Sequence, residues 1–120
     1  MKTKNTENSD YIFLFRGRNT SQSPAQMQKT MAKWFAWFKE LGANGHLKDP
    51  GHPLANSGKV VSGKKKTISD GPFAEAKDVV GGYIAVSAVD IEQAVKLSKG
   101  CPILAAGGSV EVRPIEAIRM

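Results

Sequence analysis

The sequence predicts an α+β domain in which two helices cover one face of an antiparallel sheet. Three observations support this prediction: short apolar runs have the length of strands, two segments begin with helix caps, and strands and helices alternate along the chain. The chain has 120 residues, of which 41% are hydrophobic and 23% are charged. This length and composition suit one domain with its own core, and they exclude two independent domains or a wholly disordered chain.

The first strand and the first helix are predicted from apolar patterning and a capping motif. Residues 11–15 (YIFLF) are apolar on both faces of a strand, which indicates that both faces are covered. Ser23, Pro24 and Gln26 predict a helix start with a capping box. Trp37 lies at the margin of the apolar stripe of this helix, where it faces a partner subunit, a pocket or solvent. The stripe, which is predicted to face the core, consists of Met27, Met31, Trp34, Phe35, Phe38 and Leu41.

The rest of the chain divides into a loop, a hairpin, two strands and a helix. Glycine, proline and polar residues between Gly42 and Gly58 predict a surface loop. A hairpin follows at 59–61 and 67–69, with Gly63 in its turn. A strand is predicted at 82–88, followed by a helix that is capped by Asp90 with Gln93 and ends before Gly100 and Pro102. The last predicted strand is 109–113. Because Pro114 cannot donate a backbone hydrogen bond, this strand is expected near a sheet edge.

The order of these elements fits a ferredoxin-like βαββ(β)αβ sandwich in which the hairpin adds an extra strand. The strands at 11–15 and 82–88 are apolar on their second face as well. Because so apolar a sheet face is rarely left in water, we expect two copies to stack sheet to sheet as a homodimer, a dimeric α+β barrel. Residues 1–10 are predicted to form a disordered tail, and residues 11–120 a single domain.

Charge and cysteine content narrow the function classes. Lys and Arg number 17 against 11 Asp and Glu, which favours anionic partners. The densest basic run, 64–66, has no interleaved aromatic residues to stack bases, so nucleic-acid binding is not expected. The polar start predicts neither a signal peptide nor a membrane span. The single cysteine, Cys101, is expected to be packed and inert, and it favours a cytoplasmic protein without an internal disulfide.

Four segments resemble those of a known family. Residues 70–77 (DGPFAEAK), 81–83 (GGY), 100–102 (GCP) and 107–115 (GGSVEVRPI) are similar to the signature of the DGPF subgroup of YCII-related proteins. The resemblance implies a dimeric α+β barrel, in a superfamily that also contains monooxygenases and lactone isomerases. Some relatives are associated with alternative sigma factors, which implies a link to transcriptional regulation. The histidine of the catalytic His and Asp pair suggested for YCII proteins has no counterpart at the start of the first helix here.

Asp70 is the leading catalytic candidate in the sequence. It lies where a strand ends in a Gly-Pro turn, and burial there would make its carboxylate a general base. The alternative is that Asp70 accepts backbone N–H bonds and only holds the turn. His46 is a second acid–base candidate, as a proton partner of Asp70.

Two further groups of residues are candidates for binding. His46, Asp49 and His52 have an H-x-x-D-x-x-H spacing that could ligate zinc or iron, with ordinary loop hydrogen bonding as the alternative, and no cofactor is predicted. The overall hypothesis is a protein that binds a small organic molecule in a cleft between helices and sheet and acts on it by acid–base chemistry. The alternative is a noncatalytic ligand-sensing or protein-interaction module. The residues predicted to line the cleft are Trp34, Trp37, Phe73 and Tyr83.

Overall fold

A computed structural model describes residues 8–17, 23–72 and 78–116. The elements are β1 Ser9–Arg16, α1 Pro24–Ala43, β2 Leu47–Pro53, β3 Gly58–Ser62, β4 Thr67–Gly71, β5 Val80–Ala88, α2 Ile91–Ser98, a 3₁₀ turn Pro102–Leu104, and β6 Ser109–Pro114. Strands β1, β2, β5 and β6 form one antiparallel sheet in the order β2-β5-β1-β6, and β3 pairs with β4 apart from it. With β3 and β4 set aside, this is the ferredoxin-like strand order, so the predicted α+β class is confirmed.

The core lies between the sheet and the two helices. Phe13, Ile84 and Val86 are fully buried there, on the face of β1 and β5 that packs against α1 and α2. Residues that alternate with them, such as Ile12 and Leu14, lie on the other face and are only half-buried. The chain therefore covers one apolar face of the sheet with its own helices and leaves the second face partly open.

Helix α1 begins as predicted but buries a different face. The capping box is present, with Ser23 Oγ accepting from the Gln26 amide at 3.2 Å. Of the predicted core stripe, Met27, Met31 and Phe35 are exposed, while Trp37, expected at its margin, is only 5% exposed. The Trp37 indole Nε1–H donates to the Leu97 carbonyl at 3.3 Å. The helix is therefore rotated about its axis relative to the prediction. Trp37 points into the core, while Met31 and Phe35 border a cavity.

The predicted loop between Gly42 and Gly58 is wrong, because it contains β2, an edge strand paired with β5. No apolar alternation marks this strand, and its prolines are tolerated because one side of an edge strand needs no ladder bonds. The register shifts between Asp49 and His52, where Gly51 adopts φ +58° and lies against the Tyr83 carbonyl. Backbone pairing with β5, rather than side-chain pattern, holds this segment in the sheet.

The remaining elements follow the prediction, with two corrections. The hairpin forms, but β3 and β4 make a separate two-stranded sheet rather than an extra strand of the main one. The second correction is that β1 begins at Ser9, so the last two residues of the predicted tail belong to a strand. Residues 1–7 lie outside the described residues. Asp90 caps α2 by accepting from the Gln93 amide at 2.8 Å, and β6 lies at a sheet edge as expected.

Candidate functional site

A cavity of about 440 Å³ lies between α1 and one end of the main sheet. Helix α1 forms one wall, and the ends of β1, β2 and β5 with the 3₁₀ turn form the others. The side chains are mostly apolar or aromatic, and the polar ones are few. The described residues that line it include Phe15, Thr30, Met31, Trp34, Phe35, Phe38, His52, Leu54, Asn56, Tyr83, Ile84 and Ile103.

An aromatic cluster forms the α1 wall. The Trp34 ring meets Phe15 edge to face at 4.9 Å and Phe38 at 5.8 Å between ring centroids. Trp37 packs behind Trp34 at 6.0 Å and stacks on Phe13 at 6.3 Å. Because edge-to-face contacts fix ring orientation, this cluster gives the cavity a rigid wall. Trp34 therefore borders the cavity, and its predicted contact with a ligand stays a prediction, whereas Trp37 belongs to the core that supports it.

Strand β2 supplies the polar side of the cavity. The register pairs His52 with Tyr83, and their rings meet edge to face at 6.1 Å. Both residues border the cavity, as does Asn56. Because Tyr83 also pairs with Leu14, these two rings lie on the sheet face that carries no helix, and the two residues border the cavity from β2 and β5. The cavity can therefore hold an apolar molecule, with Asn56 as a hydrogen-bond partner for a polar group.

Asp70 and His46 do not border this cavity. Asp70 lies on β4 with its side chain 89% exposed, in an ion pair with Lys59 at 2.5 Å. His46 precedes β2, and its Nδ1 lies 2.9 Å from the Ser87 carbonyl oxygen. Phe73, the remaining predicted contact residue, lies outside the described residues. The catalytic roles assigned to Asp70 and His46 thus stay predictions that the cavity geometry does not support.

The predicted metal-ligand set is not assembled. Across 8–17, 23–72 and 78–116, no group of three His, Cys, Asp or Glu side chains lies close enough to hold a metal ion. Within that set, the Asp49 carboxylate accepts from the Gly51 amide at 2.8 Å, and His46 faces the Ser87 carbonyl. His52 alone of the three borders the cavity. The bulge in β2 separates these side chains, which an even spacing in the sequence could not show.

Several cavity residues were missed by the sequence reasoning. Met31 and Phe35 were placed in the core because they share an apolar arc with Leu41, and His52 was considered only as a metal ligand. The width of the apolar arc of α1 was an available signal. One helix face cannot bury so many large side chains against a four-stranded sheet, so some of them had to lie outside the core. Ile103, which follows the predicted helix stop, carried no signal.

Together the fold and the cavity define a class: a ferredoxin-like α+β sandwich with an apolar site between its first helix and its sheet. A model of the YCII-related domain matches residues 10–119, so the chain belongs to the YCII-related family. No curated protein sequence matches the chain.

Among solved structures, the chain is similar to the 5-chloro-2-hydroxyhydroquinone dehydrochlorinase of Burkholderia phenoliruptrix AC1100, in complex with 2,5-dihydroxybenzoquinone. The match has 15% sequence identity and a TM-score of 0.45, and it covers 89% of this chain and 93% of that one. A likeness of this degree carries no functional argument. Within the described residues, neither helix is long and apolar enough to span a bilayer.

Proposed function

We propose that this protein binds a small, largely apolar organic molecule in the cavity beside α1. The observation that carries the proposal is an open cavity of about 440 Å³ bordered mainly by aromatic and aliphatic residues, with few polar groups. Sites for small molecules commonly have about 300 to 1,000 Å³ and this composition.

The lining indicates how such a molecule would lie. Trp34, Phe35 and Phe38 offer flat surfaces to a planar apolar part, and Asn56 offers hydrogen bonds to a polar substituent. If the protein acts on its ligand, His52 is a better candidate for proton exchange than Asp70 or His46, because it borders the cavity at the sheet edge. A noncatalytic sensor would use the same cavity, so binding is the common first step of both hypotheses.

We further propose that the protein is a homodimer that joins through the open face of the main sheet. Leu14 is paired with Tyr83, and Ile12 with Ala85, and all four are half-buried on the face that carries no helix. Stacking two such faces would remove this apolar surface from water. The lone buried thiol suits a reducing compartment, and we keep the cytoplasm as the proposed location.

Binding of 2-naphthol, a planar apolar probe, tests the cavity proposal by isothermal titration calorimetry. Met31→Lys places a charge at the cavity, and Met27→Lys makes the same change one turn earlier at an exposed residue that does not border it. We expect one site per chain in the native protein, at least tenfold weaker binding in Met31→Lys, and unchanged binding in Met27→Lys. Equal affinity in both variants, or no binding to the native protein, would contradict the proposal.

A further inference from the structure

We propose that the β3–β4 hairpin of one copy covers the mouth of the cavity in a second copy, so that two chains build each complete site. The hairpin, residues 58–71, is called the arm below. This inference rests on the proposed function only in taking the cavity as the binding site. It adds a partner, a second copy of this chain, and it names the element by which that partner reaches the site.

The arm presents an apolar strip that the described residues of its own chain leave largely exposed. Val61 and Ile68 stand directly opposite each other on β3 and β4 and are 62% and 68% exposed. Lys59 and Asp70 form an ion pair on the same face, two residues along each strand. On the other face, Val60 packs against Gly71. The apolar strip therefore faces outward, while the arm's opposite face is partly filled by its own side chains.

The arm has little support from the rest of its chain. Its two strands pair with each other, and no other described element packs extensively against either of them. A two-stranded hairpin standing alone is marginally stable in water. Each strand also lacks a ladder partner on its outer side among the described strands. Packing against another molecule would stabilise an arm of this kind and cover its free strand edges.

The cavity mouth offers a matching surface. Met31, Phe35 and Leu54 border the cavity, yet each is exposed, so the mouth has an apolar rim. The α1 part of this rim is not packed against the chain's own arm, since the described parts of α1, β3 and β4 have no extensive contact with each other. The rim and the arm are thus two exposed apolar surfaces of one chain that do not meet within it.

Chain connectivity brings these two surfaces together in a symmetric pair. Leu54 lies four residues before the start of the arm, so the arm leaves the domain beside the mouth. In a two-fold pair, a contact of surface i with surface j is repeated as j with i. Two copies related by an axis near the β2 edge of the main sheet would therefore each extend an arm over the other's rim. Both apolar surfaces would then leave water together.

The size of the contact indicates that the arm extends a larger interface. Stable pairs usually use about 20 to 30 residues on each side, and the arm with the rim supplies fewer. The arm continues from β2, the edge strand of the main sheet, so it can reach around the edge of a partner stacked on the open sheet face. Exchange of arms is therefore continuous with the sheet-face dimer proposed above.

Cross-linking of mixed chains tests the exchange. One preparation carries Leu54→Cys and the other carries Ile68→Cys, and the mixture is treated with a short bismaleimide and examined on a denaturing gel. Because each chain holds only one added thiol, a product of double mass joins two copies. The matched control replaces Ile68→Cys with Ser62→Cys, on the opposite face of the arm. The native Cys101 is buried, and the unsubstituted protein shows its background.

We expect a cross-linked pair from Leu54→Cys with Ile68→Cys at a yield at least fivefold above that with Ser62→Cys. No product, or equal yields from both faces of the arm, would overturn the exchange. The 2-naphthol titration of the native protein is read separately. Binding without cross-linking would reject the exchange and leave the proposed function intact, while cross-linking without binding would reject the proposed function and leave the exchange supported.

Discussion

At the scale of single residues, burial decides what Cys101 can do. Its side chain is 3% exposed, and burial raises the pKa of the thiol from 9.0 to about 12, with a backbone hydrogen bond near Ile103 opposing the shift. A nucleophilic cysteine needs the thiolate form. The environment therefore keeps Cys101 neutral at physiological pH, in agreement with the inert packing that the sequence predicted.

Alkylation by iodoacetamide tests this environment. At pH 8, the folded protein should be labelled at least 100-fold more slowly than the urea-unfolded chain, because the buried thiol is both neutral and covered. Between pH 9 and 12 the unfolded thiol loses its proton before the folded one does, so stability should fall as pH rises. Cys101→Ala should show a shallower loss over this range, by urea titration. Rapid labelling of the folded protein at pH 8 would argue against this account.

The two tryptophans of α1, three residues apart, have different environments: one packs in the core and the other borders the cavity. Trp37 packs on Phe13 and donates to the Leu97 carbonyl, whereas Trp34 borders the cavity. Both are large amphipathic rings within one turn of α1, and the sequence placed both in the cleft. Which of the two rings enters the core depends on how α1 is rotated against the sheet. The identity of a single residue does not determine that rotation.

At the scale of elements, β2 determines the polar side of the cavity. Gly51 lies at its bulge with φ +58°, and an added Cβ would come within 1.8 Å of the Tyr83 carbonyl oxygen. Only glycine fits this close approach of two backbones. The bulge in turn fixes where His52 lies, so the cavity depends on a strand that the sequence pattern did not reveal.

Substitution of Gly51 tests the role of this bulge against a matched site. Gly45 also has a positive φ, +78°, but a Cβ added there meets nothing within 4 Å. The control Gly45→Ala should therefore cost only backbone strain of about 1 kcal/mol. Gly51→Ala adds the clash with β5 and should lower the free energy of unfolding by clearly more in urea titrations. It should also weaken 2-naphthol binding. Equal losses at the two glycines would show that the close approach is unimportant.

At the scale of the whole molecule, the two faces of β1 are buried to different extents. Phe13 is fully buried under the helices, and its neighbour Leu14 is half-buried on the open face of the sheet, opposite Tyr83 and Glu111. The sequence showed that both faces are apolar. The structure shows that the chain's own helices cover only one of them.

A lysine placed on each face of β1 tests the proposed dimer. Phe13→Lys buries an unpaired charge and should prevent folding. Leu14→Lys should keep the native circular dichroism spectrum, since Glu111 lies opposite, but shift the sedimentation coefficient from dimer to monomer. A Leu14→Lys protein that remained a dimer would argue against association through this face. A native protein that sediments as a monomer would also argue against the proposed dimer.

The sequence by itself determined the local elements and the class of fold. The capping box at Ser23, the strand at residues 11–15 and the cap at Asp90 each depend on neighbouring residues, so patterns within a few positions were sufficient. The family signature added the fold expected for the YCII-related family. The hairpin was also predictable, because a turn glycine between two short runs is a local signal.

Only the tertiary structure decided which residues meet at the candidate site. Strand β2 exists because β5 pairs with it, and the rotation of α1 depends on how Trp37 packs against Phe13. Both are interactions between residues far apart in the chain, and neither leaves a periodic trace in the sequence. For this reason His52 lies at the cavity while Asp70, the sequence's first candidate, lies on an exposed arm.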